Sequence, residues 1–493
     1  MLQIVENAKS HLSNIAIKSN ELSYTYQDLL TVSQKYASDL LADSKNLMGA
    51  RVAFMVDPGF DYVAIQWAIW QAGGVAVPLC ISYPLPSLRY VLEDTGAAIV
   101  IATPSYEEVL KPLIEEKTFR FVSNEELDKA QAAELPEISR DQNAMILYTS
   151  GTTSLPKGVV TTHKNLEAQI STLVSFWEWS AKEHTLCILP LHHVHGIVNV
   201  ISCALWSGAT VEFMEKFSPA AVFDVFMKNE LNVFMAVPTI YYKLITYWEQ
   251  QNEETKVEIF KNLSAFRLMV SGSAALPVSV MEKWKTISGH TLLERYGMTE
   301  IGMGVSNPYN GERKAGYIGQ PLPGVSVILV DEDYKEVETG QPGEILIKGD
   351  NVFKEYWGKP EATQKAFTPD GWFKTGDVAV YEEGYLKILG RDSIDIIKSG
   401  GYKISALEIE EVLRKHPEIK DCAVIGVPNE EWGELVAAAV VLNNQNFNTD
   451  ELNDWIRDLM PAYKTPRKYL SIEDLPRNAM GKVTKNDLKT LFK

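Results

Sequence analysis

Residues 51–79 read RVAFMVDPGFDYVAIQWAIWQAGGVAVPL. The first six form an apolar run suited to a buried strand. Residues 60–71 carry apolar side chains at helical spacing, Gly73-Gly74 ends the helix, and residues 75–79 return to a strand. Strand, glycine-terminated helix and strand make a βαβ unit, the building block of a mostly parallel sheet. After another helical stretch, AAIVIA at 97–102 supplies the next strand, and the pattern recurs at 210–214, 233–237 and 268–270. Between about 318 and 390 the texture changes. Short β-rich runs at 325–330, 343–348 and 386–389 are separated by Gly, Pro and acidic turns, which predicts antiparallel strands.

A smaller unit follows Gly390-Arg391-Asp392. Ser405 to Glu408 fits a capping box, with Leu407, Val412 and Leu413 on the ensuing helix. Runs at 423–427 and 435–442 read as strands, and Leu452, Trp455, Ile456 and Leu459 keep the spacing of one helix face. The expected fold class is therefore α/β. Residues 1–390 form a large domain of βαβ subdomains plus a β-rich subdomain, and residues 391–493 a small α+β domain.

The chain has 493 residues, with 47 Lys and Arg against 64 Asp and Glu, a net charge of −17. That balance excludes nucleic-acid binding through a basic surface. No apolar run is long enough to span a bilayer. Residues 1–20 contain neither a signal-peptide core nor an arginine-rich leader, so a cytoplasmic location is expected. Cys80, Cys187, Cys203 and Cys422 form no CxxC pair and read as reduced thiols.

Chemistry concentrates in five segments. YTSGTTSLPKGVV (148–160) leaves a strand and sets Thr149, Ser150, Gly151, Thr152, Thr153, Ser154 and Lys157 in one loop. Small hydroxyls, bare backbone amides and one ammonium suit a triphosphate, although the order does not match a P-loop. In ERYGMTE (294–300), Tyr296 offers a flat face for a base, Thr299 a hydroxyl and Glu300 a carboxylate able to hold Mg²⁺. KTGD (374–377) presents Asp377 after a tight turn, where a carboxylate accepts from vicinal hydroxyls or merely caps the turn. GRDSIDIIKSGGYKIS (390–405) contains Arg391 and the Gly400-Gly401 pair, a hairpin turn or a bare track for a thin substrate. PRNAMGKV (476–483) contains Lys482, by itself one more terminal lysine.

In this order and spacing the five segments resemble the adenylate-forming superfamily of acyl-CoA synthetases, peptide-synthetase adenylation domains and luciferases, over nearly the whole chain. The resemblance implies an AMP-forming acid–thiol ligase with ATP and Mg²⁺ as cofactors and CoA as co-substrate. It implies that the first loop cradles the phosphates, Thr299 contacts the α-phosphate, Glu300 is the metal ligand and Asp377 and Arg391 hold the ribose. It makes Lys482 the catalytic lysine and Asp392 the hinge of a mobile C-terminal lid. Gly400 and Gly401 would admit pantetheine. Ser154 departs from the glycine usual in the family.

LPLHHVHG (189–196), NVFMAVPTIYYKL (232–244), SGSAALP (271–277) and the region 294–324 look closer to malonyl-CoA synthetases than to enzymes for longer acids. The acid implied is malonate or methylmalonate. The alternatives are a short or medium-chain monocarboxylate, or an adenylation enzyme that loads a carrier protein. A second carboxylate must be paired on burial. The candidate cations are Arg295 and Lys243, with Arg313 and Lys314 in reserve. Lys243 stands where many such enzymes have Arg, and it points off the apolar stripe of its predicted helix. His193, His195 and Ser271 are expected at the substrate wall, the histidines as substrate contacts or structural residues. Met303, one turn past Glu300 if that segment is helical, is a size-limiting wall residue or a plain core methionine.

Overall fold

The computed structural model describes residues 2–19, 21–127, 133–149, 156–214, 216–443, 448–478 and 482–492. The run at 51–79 folds as strand Arg51–Met55, helix Phe60–Gln71 and strand Val75–Pro78, with the two strands parallel. The helix is buried on all but one edge, because its apolar residues encircle it rather than forming a stripe. Trp67 and Trp70 are almost fully enclosed, and the Trp70 indole donates to the Ala144 carbonyl, so the wide ring leaves no orphaned N–H.

This unit centres a seven-stranded sheet, in the order Glu355–Tyr356, Lys157–Thr162, Asn143–Thr149, Val75–Pro78, Arg51–Met55, Ile99–Ala102 and Arg120–Ser123. A nine-stranded sheet lies beside it. There, strands His184–Cys187, Val233–Ala236, Leu268–Ser271 and Leu293–Met298 run parallel as neighbours, and Gly302–Ser306 turns back antiparallel. A continuous core of buried side chains joins both sheets through the Phe60–Gln71 helix. Antiparallel strands Val325–Val330, Gly343–Gly349, Phe373–Glu382 and Tyr385–Arg391 form the β-rich subdomain, as the run spacing predicts.

The C-terminal unit begins after a turn at 392–395 and has its own five-stranded sheet and two small cores. Helix Ala406–Leu413 is capped by Ser405, whose hydroxyl accepts from the Glu408 amide. The capping box is only half made. Glu408 turns its carboxylate to Lys464 (2.6 Å) and Lys387 (3.7 Å) instead of back to the cap. On helix Thr449–Leu459, Leu452 and Ile456 are buried while Leu459 lies exposed at the end. All four cysteines are free and buried, and burial pushes the Cys187 thiol up to about 12.

Candidate active site

The carboxyl ends of the parallel strands point to one side of the sheet, the usual place for a ligand crevice in such folds. Ser271 ends its strand there and Arg295 lies on the neighbouring strand. His193 and His195 follow the strand His184–Cys187. Arg295 is 2% exposed, yet its Nε and Nη2 have no hydrogen-bond partner. The hydroxyl of Ser271 and the Nε2 atoms of His193 and His195 are likewise buried and unpaired. Buried donors are normally satisfied, so this cluster is built to receive a polar group.

Glycine brings the guanidinium close. A Cβ at Gly272 would lie 2.6–2.7 Å from Cζ, Nε and Nη1 of Arg295. The next residue, Ser273, takes a left-handed φ of 69° and meets the His195 Nδ1 at 3.1 Å.

Electrostatics explain what the crevice lacks. Glu294 adjoins Arg295 in sequence, but burial pushes its carboxyl up to about 8, so at neutral pH it is mostly uncharged. Burial lowers the Arg295 guanidinium from its ordinary value, with only weak support from Glu294. The guanidinium is therefore a buried cation short of a counter-ion. Burial also holds His193 down to about 3, aided by His192 and Lys482, and His195 well below the ordinary range, aided by Arg295 and His193. Both imidazoles are neutral, and neither neutralises nor repels an incoming anion.

Glu300 lies in a three-residue turn at 299–301 between strands Leu293–Met298 and Gly302–Ser306. The turn is pinned by the Phe353 amide on the Glu300 carbonyl (2.7 Å) and by Asn351 on the Ile301 carbonyl (2.7 Å). Tyr356 donates its hydroxyl to Glu300 Oε1 at 2.9 Å, and the Lys157 ammonium sits over the Tyr356 ring at 4.8 Å. Burial raises the Glu300 carboxyl, which Tyr356, Arg391 and Lys157 only partly offset. A carboxylate so placed gains from a cation, and with Thr299 beside it the donor set fits Mg²⁺. Lys157 pairs with Thr149 across a two-stranded hairpin. Ser150, Gly151, Thr152, Thr153 and Ser154 lie outside the described residues.

Asp377 and Arg391 are direct cross-strand partners. Arg391 donates from Nε to Asp377 Oδ1 at 2.9 Å, and Tyr296 donates its hydroxyl to Oδ2 at 2.6 Å. KTGD is not a tight turn. It lies within the continuous strand Phe373–Glu382, where an irregularity in the pairing opposite Glu344–Leu346 orients the carboxylate. The Lys482 ammonium joins this group. Desolvation and the nearby Arg391 and Arg295 lower it from the ordinary lysine value, and Asp377 partly restores it. Its backbone is clamped at both ends by Asn478, which donates its amide to the Lys482 carbonyl (2.9 Å) and accepts from the Lys482 amide (3.0 Å).

Four expected residues lie away from this cluster. Lys243 is exposed on helix Pro238–Glu249, its ammonium 5.7 Å from the Phe217 ring, so it stands apart from the contacts around Arg295. Gly400 and Gly401 form the exposed turn of hairpin Ile396–Ser399/Tyr402–Ser405, with Gly400 donating to the Trp432 carbonyl. Met303 is in strand Gly302–Ser306 rather than one helical turn past Glu300, and is enclosed in the main core. Arg313 is spent on the carbonyls of Thr291 and Tyr309, and Lys314 on Glu383. Sequence reasoning missed Tyr356 and Gln169. Gln169 accepts from the Met303 amide at 2.5 Å and fixes the hairpin behind Glu300. Neither residue sits in a motif, and only the fold brings them to the site.

Residues 4–357 match the AMP-binding enzyme family and residues 408–482 its C-terminal domain. The malonate–CoA ligase ACSF3, mitochondrial, of Xenopus laevis is 45% identical over 95% of this chain and 88% of its own length. The structure of MatB from Rhodopseudomonas palustris with ATP bound superposes with a TM-score of 0.91 at 32% identity, over 100% of this chain and 99% of that one. Apo MatB gives 0.82 at the same identity, over 100% of both chains. The o-succinylbenzoate CoA synthetase MenE of Bacillus subtilis, in complex with ATP and magnesium ion, gives 0.85 at 28% identity over 99% of each chain. With both parts of the family matched across most of its length, the chain belongs to the AMP-binding enzymes.

Proposed function

We propose that this chain is an AMP-forming acid–CoA ligase that activates malonate. Identity to malonate–CoA ligases at 43–45% supports the reaction and the acid. The observation that carries the acid's identity is the buried Arg295, whose Nε and Nη2 have no hydrogen-bond partner, while its strand neighbour Glu294 turns to the Leu276 amide instead. A dicarboxylate supplies the missing charge. A monocarboxylate would leave the guanidinium buried and bare.

The reaction runs in two steps. One carboxylate oxygen of malonate attacks the α-phosphorus of ATP, the bond to the β-phosphate breaks, and pyrophosphate leaves with its electron pair. Two anions must approach, so positive charge has to be in place beforehand. Lys482, near Arg295 and Arg391, supplies it between the acid and the α-phosphate. Asp377 and Arg391, braced by Tyr296, hold the ribose, and Lys157 with residues 149–154 holds the phosphates. Glu300, with Thr299, would hold Mg²⁺, which neutralises phosphate charge when bound. The CoA thiol then attacks the adenylate carbonyl, losing its proton, and AMP departs. We assign the pivot between the steps to Asp392, with the residues beyond it moving as one unit that carries Lys482 away and brings Gly400 and Gly401 to the thiol's path. No helix among the described residues is long and apolar enough to cross a membrane. The cytoplasmic location expected from residues 1–20 stands beside animal relatives named as mitochondrial, and fractionation of the native host decides it.

The test is purified protein with ATP, Mg²⁺ and CoA against malonate, methylmalonate, succinate, acetate and octanoate. AMP release is expected to be fastest with malonate, and a preference for octanoate overturns the dicarboxylate reading. Lys482→Ala is expected to lose AMP and pyrophosphate formation by about 10²–10³-fold while CoA attack on supplied malonyl-adenylate survives. Equal loss of both steps counts against a lysine that acts in the first alone.

A further inference from the structure

Three residues beyond Lys482, at the start of helix Lys485–Leu491, Lys485 is buried. Lys485 holds its ammonium 2.6 Å from Asp395 Oδ1 and 2.7 Å from Glu410 Oε1. Glu410 is fixed in turn, accepting from the Val424 amide at 2.8 Å and facing Arg414 at 3.3 Å. These groups all lie within the C-terminal unit. Surface ion pairs rearrange freely, but an enclosed ammonium between two carboxylates has one arrangement available.

Asp395 divides its oxygens. Oδ1 takes Lys485, while Oδ2 accepts from the backbone amide of Arg391 at 3.1 Å. Arg391 ends the strand that carries the ribose-side ion pair, and Asp392 lies between the two partners. The fit requires a missing side chain, because a Cβ on Gly390 would come within 2.3 Å of the Asp395 Cβ. The path back to Lys482 is short. The Thr484 amide donates to the Pro476 carbonyl at 2.9 Å, and Asn478 clamps the Lys482 backbone.

We propose that Asp395 and Lys485 are positioning residues that latch the C-terminal unit in the orientation that aims Lys482 into the crevice. Rotation at Asp392 moves Lys485, Glu410 and the Asp395 side chain together, whereas the bond from Oδ2 to the Arg391 amide spans the pivot and opens. A contact present in one orientation and absent in the other biases the balance between them. Lys485 keeps the carboxylate turned so that its second oxygen is available for that bond. The inference rests on the two-step ligase reading above.

The experiment compares the full chain with Asp395→Asn and Lys485→Arg in two assays. One is malonate-dependent exchange of pyrophosphate into ATP, the other CoA attack on supplied malonyl-adenylate. The latch predicts at least a tenfold loss of exchange in Asp395→Asn, with the CoA step within about threefold of the unaltered chain. Lys485→Arg, which keeps the charge, is expected to recover most of the exchange. Equal loss in both assays, or undiminished exchange in a folded Asp395→Asn protein, overturns the proposal. Where that variant does not fold, Asp395→Glu replaces it under the same criteria. If neither folds, the contact is a stability element and the latch is refuted. Absence of exchange in the unaltered chain with every acid tried overturns the ligase reading and the latch with it, so the two failures are distinguishable.

Discussion

Arg295 shows how a single residue acquires meaning from its surroundings. Any buried arginine requires a partner, and here the adjoining carboxylate is no partner because burial has neutralised it. Arg295→Met is therefore expected to raise the KM for malonate by about 30-fold or more, in line with about 2–5 kcal/mol for a desolvated charge contact. Activity with acetate should be raised or unchanged. Lys243→Met, at an exposed position, is expected to change the malonate KM by less than about twofold. Steady-state kinetics with both acids check this, and a larger effect at Lys243 would reverse the assignment. Sequence supplied both cations as equals, since both lie in segments resembling malonyl-CoA synthetases. What separated them was burial and the neutral Glu294, neither of which has a sequence signal.

At the scale of elements, most strands were legible because parallel buried strands are short, apolar and bounded by glycine or proline. The misreadings came where two elements meet. KTGD contains the residues of a turn, yet it folds as an irregular stretch of the strand Phe373–Glu382, paired at Lys374 and Asp377. Were the segment after Glu300 helical, Met303 would lie one turn on, but Gln169 takes the Met303 amide and the chain returns as a strand. Tyr356 belongs to the same class. It comes from a two-residue strand at the sheet edge, paired with the hairpin strand that carries Lys157, and reaches Glu300 from there. Tyr356→Phe removes one hydrogen bond and keeps the ring under Lys157. The half-saturating Mg²⁺ concentration for AMP formation is expected to rise by about 2–10-fold, the effect of about 0.5–1.5 kcal/mol. An unchanged Mg²⁺ profile would separate Tyr356 from the metal site.

Across the whole molecule, histidines tie stability to pH. Burial holds His163 and His192 down to about 4 and His193 to about 3. The unfolded chain takes up these protons near the ordinary histidine value of about 6.5, the folded chain only at lower pH, so acid favours unfolding. The stabilisation is complete above about pH 6.5 and is lost as pH falls towards 4. Each such side chain contributes on the order of 1–2 kcal/mol of that change. The melting temperature is expected to drop markedly between pH 7 and pH 5, and His163→Gln should flatten the slope. A melting temperature constant over that range would refute the assignment. At this scale the division into a large α/β body and a small α+β unit was readable from the change of texture near residue 390. The Lys485–Asp395 pair inside the small unit was not, because its members are 90 residues apart.

The four enclosed thiols have a practical consequence. With no cysteine at the surface, a maleimide dye would attach only where an exposed residue is replaced by cysteine. One such site on each side of Asp392 would make the otherwise native chain a fluorescence ruler. A change in dye separation as a single enzyme turns over would then test the movement proposed for the lysine-bearing unit.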